Sequence, residues 1–219
     1  LQGDPNQPGT MYVAFGSGNL WKTTNNGLDW KPIFENQPTL GIGDIAIAPS
    51  NSEILYLGTG ESLRKNRNFT MPGTGVYRSD DGGDTWTHLG IEETWHIGEI
   101  AVHPHNPDIV FVAAMGKFWS ESSSKGIYRT INGGKDWERV LYVNENTRAN
   151  DIVIAHSNPK IIYASMWENN DNTNIAESVY GPNSGIYYSS DGGSSWKRSK
   201  NGLPDKPKIG RIGLAVSYQ

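Results

Sequence analysis

Four times this chain writes nearly the same octapeptide: TTNNGLDW at 23–30, SDDGGDTW at 79–86, TINGGKDW at 130–137 and SSDGGSSW at 189–196. The closing tryptophans, Trp30, Trp86, Trp137 and Trp196, stand 56, 51 and 59 residues apart. A recurring period of this length makes each repeat one supersecondary unit that buries its apolar face against the next. The intervening segments define that unit. Residues 42–60, 97–116 and 150–167 each hold a β-branched run, a Pro/Asn/Ser/His turn and a second β-rich run, the pattern of a hairpin. A short apolar-aromatic strand precedes each octapeptide, starting at Leu20, Val76, Ile127 and Ile186, and a brief strand follows it. Four short antiparallel strands per roughly 55 residues predict an all-β propeller of four-stranded blades. No segment carries a long 3.6-residue period, which argues against helical alternatives.

Aligned, the octapeptides read Ser/Thr-x-Asp/Asn-x-Gly-x-x-Trp. The first position is Thr23, Ser79, Thr130 and Ser189; the third is Asn25, Asp81, Asn132 and Asp191; the fifth is Gly27, Gly83, Gly134 and Gly193. A hairpin loop needs positive φ, which Gly adopts freely and Asn or Asp adopt in part. The hydroxyl and the short Asp or Asn side chain accept bonds from nearby backbone N–H groups. The Trp buries a large apolar area that pins the loop to its sheet. Asn is neither a general acid nor a general base, so a position that is Asn in two repeats does not require an ionisable group. These boxes are expected to be scaffold.

The phase of the repeat gives one propeller region over 1–219, with a partial blade at 1–36, blades at 37–92, 93–144 and 145–203, and a lone first strand at 204–219. The strand from Met11 is then a second strand, and the run from Ile209 is a first strand without a successor. Either the ends zip into a closed four-bladed ring, which pairs 212–216 with 11–15, or the chain is a slice of a longer propeller. The start at Leu1, with no leader or tail, favours the slice.

Composition narrows the partners. With 26 Gly, 8 Trp and 10 Tyr, the chain has the glycine and aromatic content of a turn-rich β protein. A net charge of −4 argues against nucleic acid or an anionic membrane surface as partner. No apolar run is long enough to span a bilayer. Cysteine is absent, which excludes disulfides and leaves the compartment open. Asn68-Phe69-Thr70 matches a glycosylation acceptor, meaningful only in a eukaryotic secretory context. His103-Pro-His105 sits at a turn and reads as a turn, not a ligand pair, and the acids at 80–84 lack EF-hand spacing; no metal site and no cofactor are expected.

At its boxes the chain resembles the Asp-box (BNR) propellers, a motif shared by sialidases, xyloglucanase-type glycosidases, sortilin-type receptor domains and a photosystem assembly factor. The phrases at 56–61, 96–114 and 139–147, with the closing IGRIGLAV, are most similar to the large bacterial proteins called sortilin-like or "BNR-repeat glycosyl hydrolase". The resemblance covers essentially the whole chain and implies a secreted or cell-envelope, bacterial protein several times longer. Other domains of a longer parent or a complex are then further partners. A sialidase site, with an arginine triad and a Tyr–Glu pair, has no residue-by-residue match here.

Box loops join strands three and four on one face; the longer loops joining two to three, and those joining four to one, emerge on the other. That long-loop face collects Glu61, Arg64, Arg67, Trp95, His96, Trp119, Trp167 and Tyr180, aromatic and polar groups that suit a protein or glycan ligand. First strands line the central channel, where Asp44, Glu99, Asp151 and Arg211 fall at equivalent positions. Three carboxylates and a guanidinium there bind a polar ligand or pair across blades. Two of Asp44, Glu99 and Asp151 as a catalytic pair is the weaker alternative, since glycosidase chemistry needs two suitably spaced carboxyls. The main expectation is therefore a binding module acting through its long-loop face, or an assembly scaffold using it. The alternative is a glycoside hydrolase acting on polysaccharide.

Overall fold

The structure is a computed structural model and describes residues 1–62, 70–118, 120–168, 180–200, 202–203 and 209–217. Arg64, Arg67 and Trp119 lie outside the described residues. Four antiparallel sheets of four strands follow one another along the chain. The first is β1 (Gln2–Gly3), β2 (Met11–Ala14), β3 (Leu20–Thr23) and β4 (Lys31–Pro32). The second is β5 (Ile42–Ile47), β6 (Leu55–Thr59), β7 (Val76–Ser79) and β8 (Thr87–His88). The third is β9 (Ile97–Val102), β10 (Val110–Ala114), β11 (Gly126–Thr130) and β12 (Glu138–Leu141). The fourth is β13 (Thr147–Ile154), β14 (Ile162–Glu168), β15 (Gly185–Ser189) and β16 (Lys197–Arg198). Each is a simple meander, and the innermost strands β5, β9 and β13 pack side by side. This is the β-propeller that the repeat predicts. No helix among the described residues is long and apolar enough to cross a membrane.

One feature at the ends differs from the sequence reading. The opening sheet is not missing its first strand, because Gln2 and Gly3 pair with Tyr12 and Met11. Two residues are too short for any periodicity to reveal. At the other end, 209–217 runs beside β13: Ile212 O accepts from Asn150 Nδ2 (3.0 Å) and Ser165 Oγ (2.8 Å), and Leu214 N–H donates to Asp151 Oδ2 (3.0 Å). Strand β2 pairs with β1 and β3, and no hydrogen bond among the described residues joins 212–216 to 11–15. The pairing required by a ring closed through those strands is not formed.

Each box repeats one set of bonds. The hydroxyl of Thr23, Ser79, Thr130 or Ser189 accepts from the N–H of the fifth-position glycine at 2.8–3.0 Å and donates to the third-position side chain. Glycine at the fifth position has φ between +83° and +97° in all four boxes, a conformation that strains residues with a Cβ. The third and seventh positions are matched. Asp81 and Asp191 accept a hydroxyl bond from Thr85 and Ser195 (2.6 Å each), whereas Asn25 and Asn132 donate from their amides to Asp29 and Asp136 (3.0 and 2.9 Å). An acceptor-only carboxylate is thus paired with a donor, and a donating amide with a carboxylate. The boxes are structural units in which the first, third and seventh positions are tied together by hydrogen bonds.

Between blades, the box tryptophan reaches backward. Trp86 Nε1 donates to Ile33 O (2.8 Å) and Trp137 Nε1 to Leu89 O (2.9 Å), while Trp196 turns to Gly193 O within its own box (3.1 Å). Cations on the third strands reach forward: Lys22 Nζ bonds Gly82 O and Arg129 bonds Gly192 O. The core lies between sheets, for example Tyr12, Leu20 and Phe34 of the first against Leu55, Leu57 and Tyr77 of the second. The matching face of the first sheet, formed by Val13, Trp21 and Trp30 with Phe15, has no sheet packed on it among the described residues.

Candidate functional site

Inner strands carry a shared irregularity. The register slips by one residue at Gly43 in β5, Gly98 in β9 and Asn150 in β13, immediately before Asp44, Glu99 and Asp151. A bulge of this kind re-aims the following side chain. Glycine suits the first two positions, because a Cβ on Gly43 would lie 2.1 Å from Ile97 O and one on Gly98 2.5 Å from Asn150 O. The three carboxylates then diverge in role. Asp44 Oδ2 accepts Ile100 N–H (2.8 Å) and Asp151 Oδ2 accepts Leu214 N–H, so each ties its strand to the next inner segment. Glu99 accepts no such bond among the described residues and lines a channel otherwise formed mainly by aliphatic side chains such as Ile45, Ala101, Val153 and Ala215. Burial pushes all three carboxyls above their ordinary values; Asp44 and Asp151 add to the shift at Glu99, and backbone N–H bonds oppose it at the two aspartates.

Arg211 is out of register with these residues. Leu214 meets Asp151 as Ile100 meets Asp44, so the position matching Glu99 is Gly213. Arg211 is exposed and donates to Ser62 O (3.1 Å), linking 209–217 to the loop after β6. Its charge still opposes the rise at Glu99 and Asp151.

On the long-loop face, the segment from β8 to β9 holds a short 3₁₀ turn, Glu92–Thr94, flanked by strained residues. Ile91 has φ +55° and Trp95 has φ +56° with ψ −46°, while His96 N–H bonds Thr94 O at 2.5 Å. Trp95 is therefore the centre of a γ-turn of the unfavourable hand, on the order of 1–3 kcal/mol above an ordinary conformation. Neighbouring bonds hold it there: Gly73 N–H to Trp95 O (2.7 Å), Met115 N–H to His96 O (2.8 Å) and Trp95 N–H to Glu92 O (3.2 Å). Trp95 is 37% exposed, with Lys117 Nζ 4.8 Å from its ring centre.

Behind Trp95 stands a buried stack. The Arg148 guanidinium lies 5.3 Å from the Trp167 ring and 4.9 Å from the Phe118 ring, and Phe118 lies 4.4 Å from His96. Trp167 is 5% exposed, so it covers Arg148 and Met115 and does not present a face to solvent. Burial, with the Arg148 charge adding to it, lowers His96 to about 4, against one ring N–H donated to the Glu61 carbonyl. Glu61 itself is buried, its carboxylate accepting Met71 N–H (3.4 Å). Tyr180 is half-buried beside the 180–184 turn, which Glu168 anchors through Asn183 N–H (2.8 Å). Trp95, His96, Lys117 and Phe118 meet Thr70 and Pro72 around a cleft of about 250 Å³. Phe118 is one of the aromatics that the sequence places on the long-loop face, whereas Thr70, Pro72 and Lys117 carry no sequence signal beyond their place in long loops.

The chain has relatives among known proteins. A probable oligoxyloglucan-reducing end-specific xyloglucanase of Neosartorya fischeri is 30% identical over 220 residues, covering 94% of this chain and 24% of its own length. The GH74 enzyme of Niastella koreensis superposes with a TM-score of 0.65 at 22% identity, over 89% of this chain and 28% of that one. The GH74 xyloglucanase of Xanthomonas campestris does so at 0.64 and 18% identity, over 93% and 30%. The chain thus spans about a quarter of the length of the curated relative, and the two structures share its fold. A sequence profile described as Sortilin, neurotensin receptor 3 matches residues 74–205, more than half of the chain and including three of the four boxes. By that match the chain belongs to the Sortilin-Vps10 family of Asp-box propellers.

Proposed function

We propose that this propeller region belongs to a secreted glycoside hydrolase of the xyloglucanase type and binds polysaccharide across its long-loop face. The observation that carries the reading is Trp95. A bulky aromatic held at positive φ, with its ring partly in solvent and its backbone tied on both sides, is strain retained at a surface position. A preordered indole suits stacking against the apolar face of a sugar ring. Xyloglucanases among the relatives supply the substrate class.

Of the channel carboxyls, only Glu99 has the character of a general acid: protonated by burial, and free of a backbone amide bond. Asp44 and Asp151 are committed to inter-blade amides, so in this reading the partner carboxylate comes from elsewhere in the enzyme. The test is affinity electrophoresis through gels containing xyloglucan. Migration of the chain is expected to be retarded, and Trp95→Ala is expected to migrate freely while keeping its melting temperature. Equal retardation of both proteins would remove Trp95 from the account, and no retardation of either would remove the polysaccharide.

A further inference from the structure

Two buried polar atoms in the Trp95 cleft have no hydrogen-bond partner among the described residues: Thr70 Oγ1 and His96 Nδ1. Their residues are 7% and 3% exposed. Buried polar groups are nearly always satisfied, and leaving one unmade costs about 1–3 kcal/mol. Two such atoms in one cleft, beneath a strained aromatic, call for a common cause.

Their chemistry restricts what fits. The His96 ring donates one N–H to the Glu61 carbonyl, and its Nδ1 is unpartnered, so the neutral ring carries its proton on Nε2 and offers a lone pair at Nδ1. Burial keeps the ring neutral through physiological pH. A lone pair repels phosphate or carboxylate. Among the described residues that line the cleft, Thr70, Pro72, Trp95, His96, Lys117, Phe118 and Ser120, there is no carboxylate to hold a cation. What remains is a neutral group that donates to Nδ1, and a hydroxyl, which both donates and accepts, serves both atoms. The walls, Trp95 with Pro72 and Phe118, are apolar.

We infer that this cleft is a subsite for one neutral sugar ring, stacked on Trp95, with one of its hydroxyls donating to His96 Nδ1 and an adjacent oxygen bonded to Thr70 Oγ1. The inference rests on the polysaccharide reading above and adds the position and polarity of one subsite. Lys117, whose ammonium covers the indole, swings aside on binding.

Two measurements test it. Calorimetric titration with a xyloglucan oligosaccharide is expected to give an affinity that falls about tenfold in Thr70→Val, which keeps the shape and removes the hydroxyl. Lys117→Ala is expected to leave it equal or tighter. Unchanged affinity in Thr70→Val means that water serves these atoms and overturns the subsite, while the wild-type titration still supports the polysaccharide reading. Separately, the His96 ring nitrogens are followed by NMR as methyl β-glucoside is added to the wild-type chain. A shift at Nδ1 without oligosaccharide binding would keep the subsite and overturn the polymer. No shift with either sugar would overturn the subsite.

Discussion

Removing the Trp86 indole isolates what a box contributes to blade packing. The ring lies edge-on to Phe34 of the preceding sheet at 5.4 Å and 86°, and its N–H bonds Ile33 O at 2.8 Å. Full truncation of a buried Trp costs about 3–5 kcal/mol. Trp86 is only partly buried, so the packing loss is about 2 kcal/mol, and the unmade bond to Ile33 O adds about 1. Trp86→Ala is therefore expected to destabilise by about 3 kcal/mol, a fall of about 6–12 °C in melting temperature for a chain of this size. Trp30 provides the internal control. It occupies the same box position, is 37% exposed, and faces no other sheet among the described residues. Trp30→Ala is expected to cost less than about 1 kcal/mol. Differential scanning calorimetry of both variants decides. Equal losses would show that the indole acts within its own hairpin, and the account of inter-blade packing would be wrong.

Three further outcomes follow from the geometry. Asn132→Asp places a second carboxylate beside Asp136, so it is expected to lower stability by about 1 kcal/mol at pH 7; acidification to pH 3, or the added change Asp136→Ser, should restore it in urea titrations. Glu99 is held protonated by the fold, so the native state binds this proton more tightly than the unfolded chain, and stability falls as pH rises above the ordinary value of 4.5. Glu99→Gln should therefore match the wild type near pH 4 and exceed it at pH 8, measured by thermal melts; a variant less stable at pH 8 would refute the raised proton affinity. Gly43→Ala drives a Cβ to 2.1 Å from Ile97 O and 2.7 Å from Gly60 O, and is expected to cost more than about 3 kcal/mol, seen as lost soluble expression or a collapsed melt.

Much of the scaffold was legible in the sequence because its constraints are local. Positive φ at Gly27, Gly83, Gly134 and Gly193 needs glycine, and the hydroxyl and Trp flank it at fixed spacing. The seventh position is equally local: Asp29 and Asp136 accompany Asn, and Thr85 and Ser195 accompany Asp, a match of donor to acceptor present in the four octapeptides. The bulges also left a trace, glycine at 43 and 98 ahead of Asp44 and Glu99, but Asn150 breaks the pattern. Arg211 follows Ile209-Gly210 as Asp44 follows Ile42-Gly43, yet the bond from Leu214 shifts that register by two. The cleft was legible only as a face. That Trp95 would be presented and Trp167 packed over Arg148 depends on backbone strain and long-range contacts that no spacing encodes. The unpartnered state of Thr70 and His96 belongs to the folded molecule alone.

The account stands on which face of the propeller meets polysaccharide, and hydroxyl-radical footprinting with and without xyloglucan measures that directly. Protection is predicted at Trp95 and around Thr70, with Leu28, Ile131 and Trp30 on the opposite box side remaining as reactive as in the free chain. Protection of Leu28 and Ile131 with Trp95 unchanged would contradict the account and move the binding surface to the boxes.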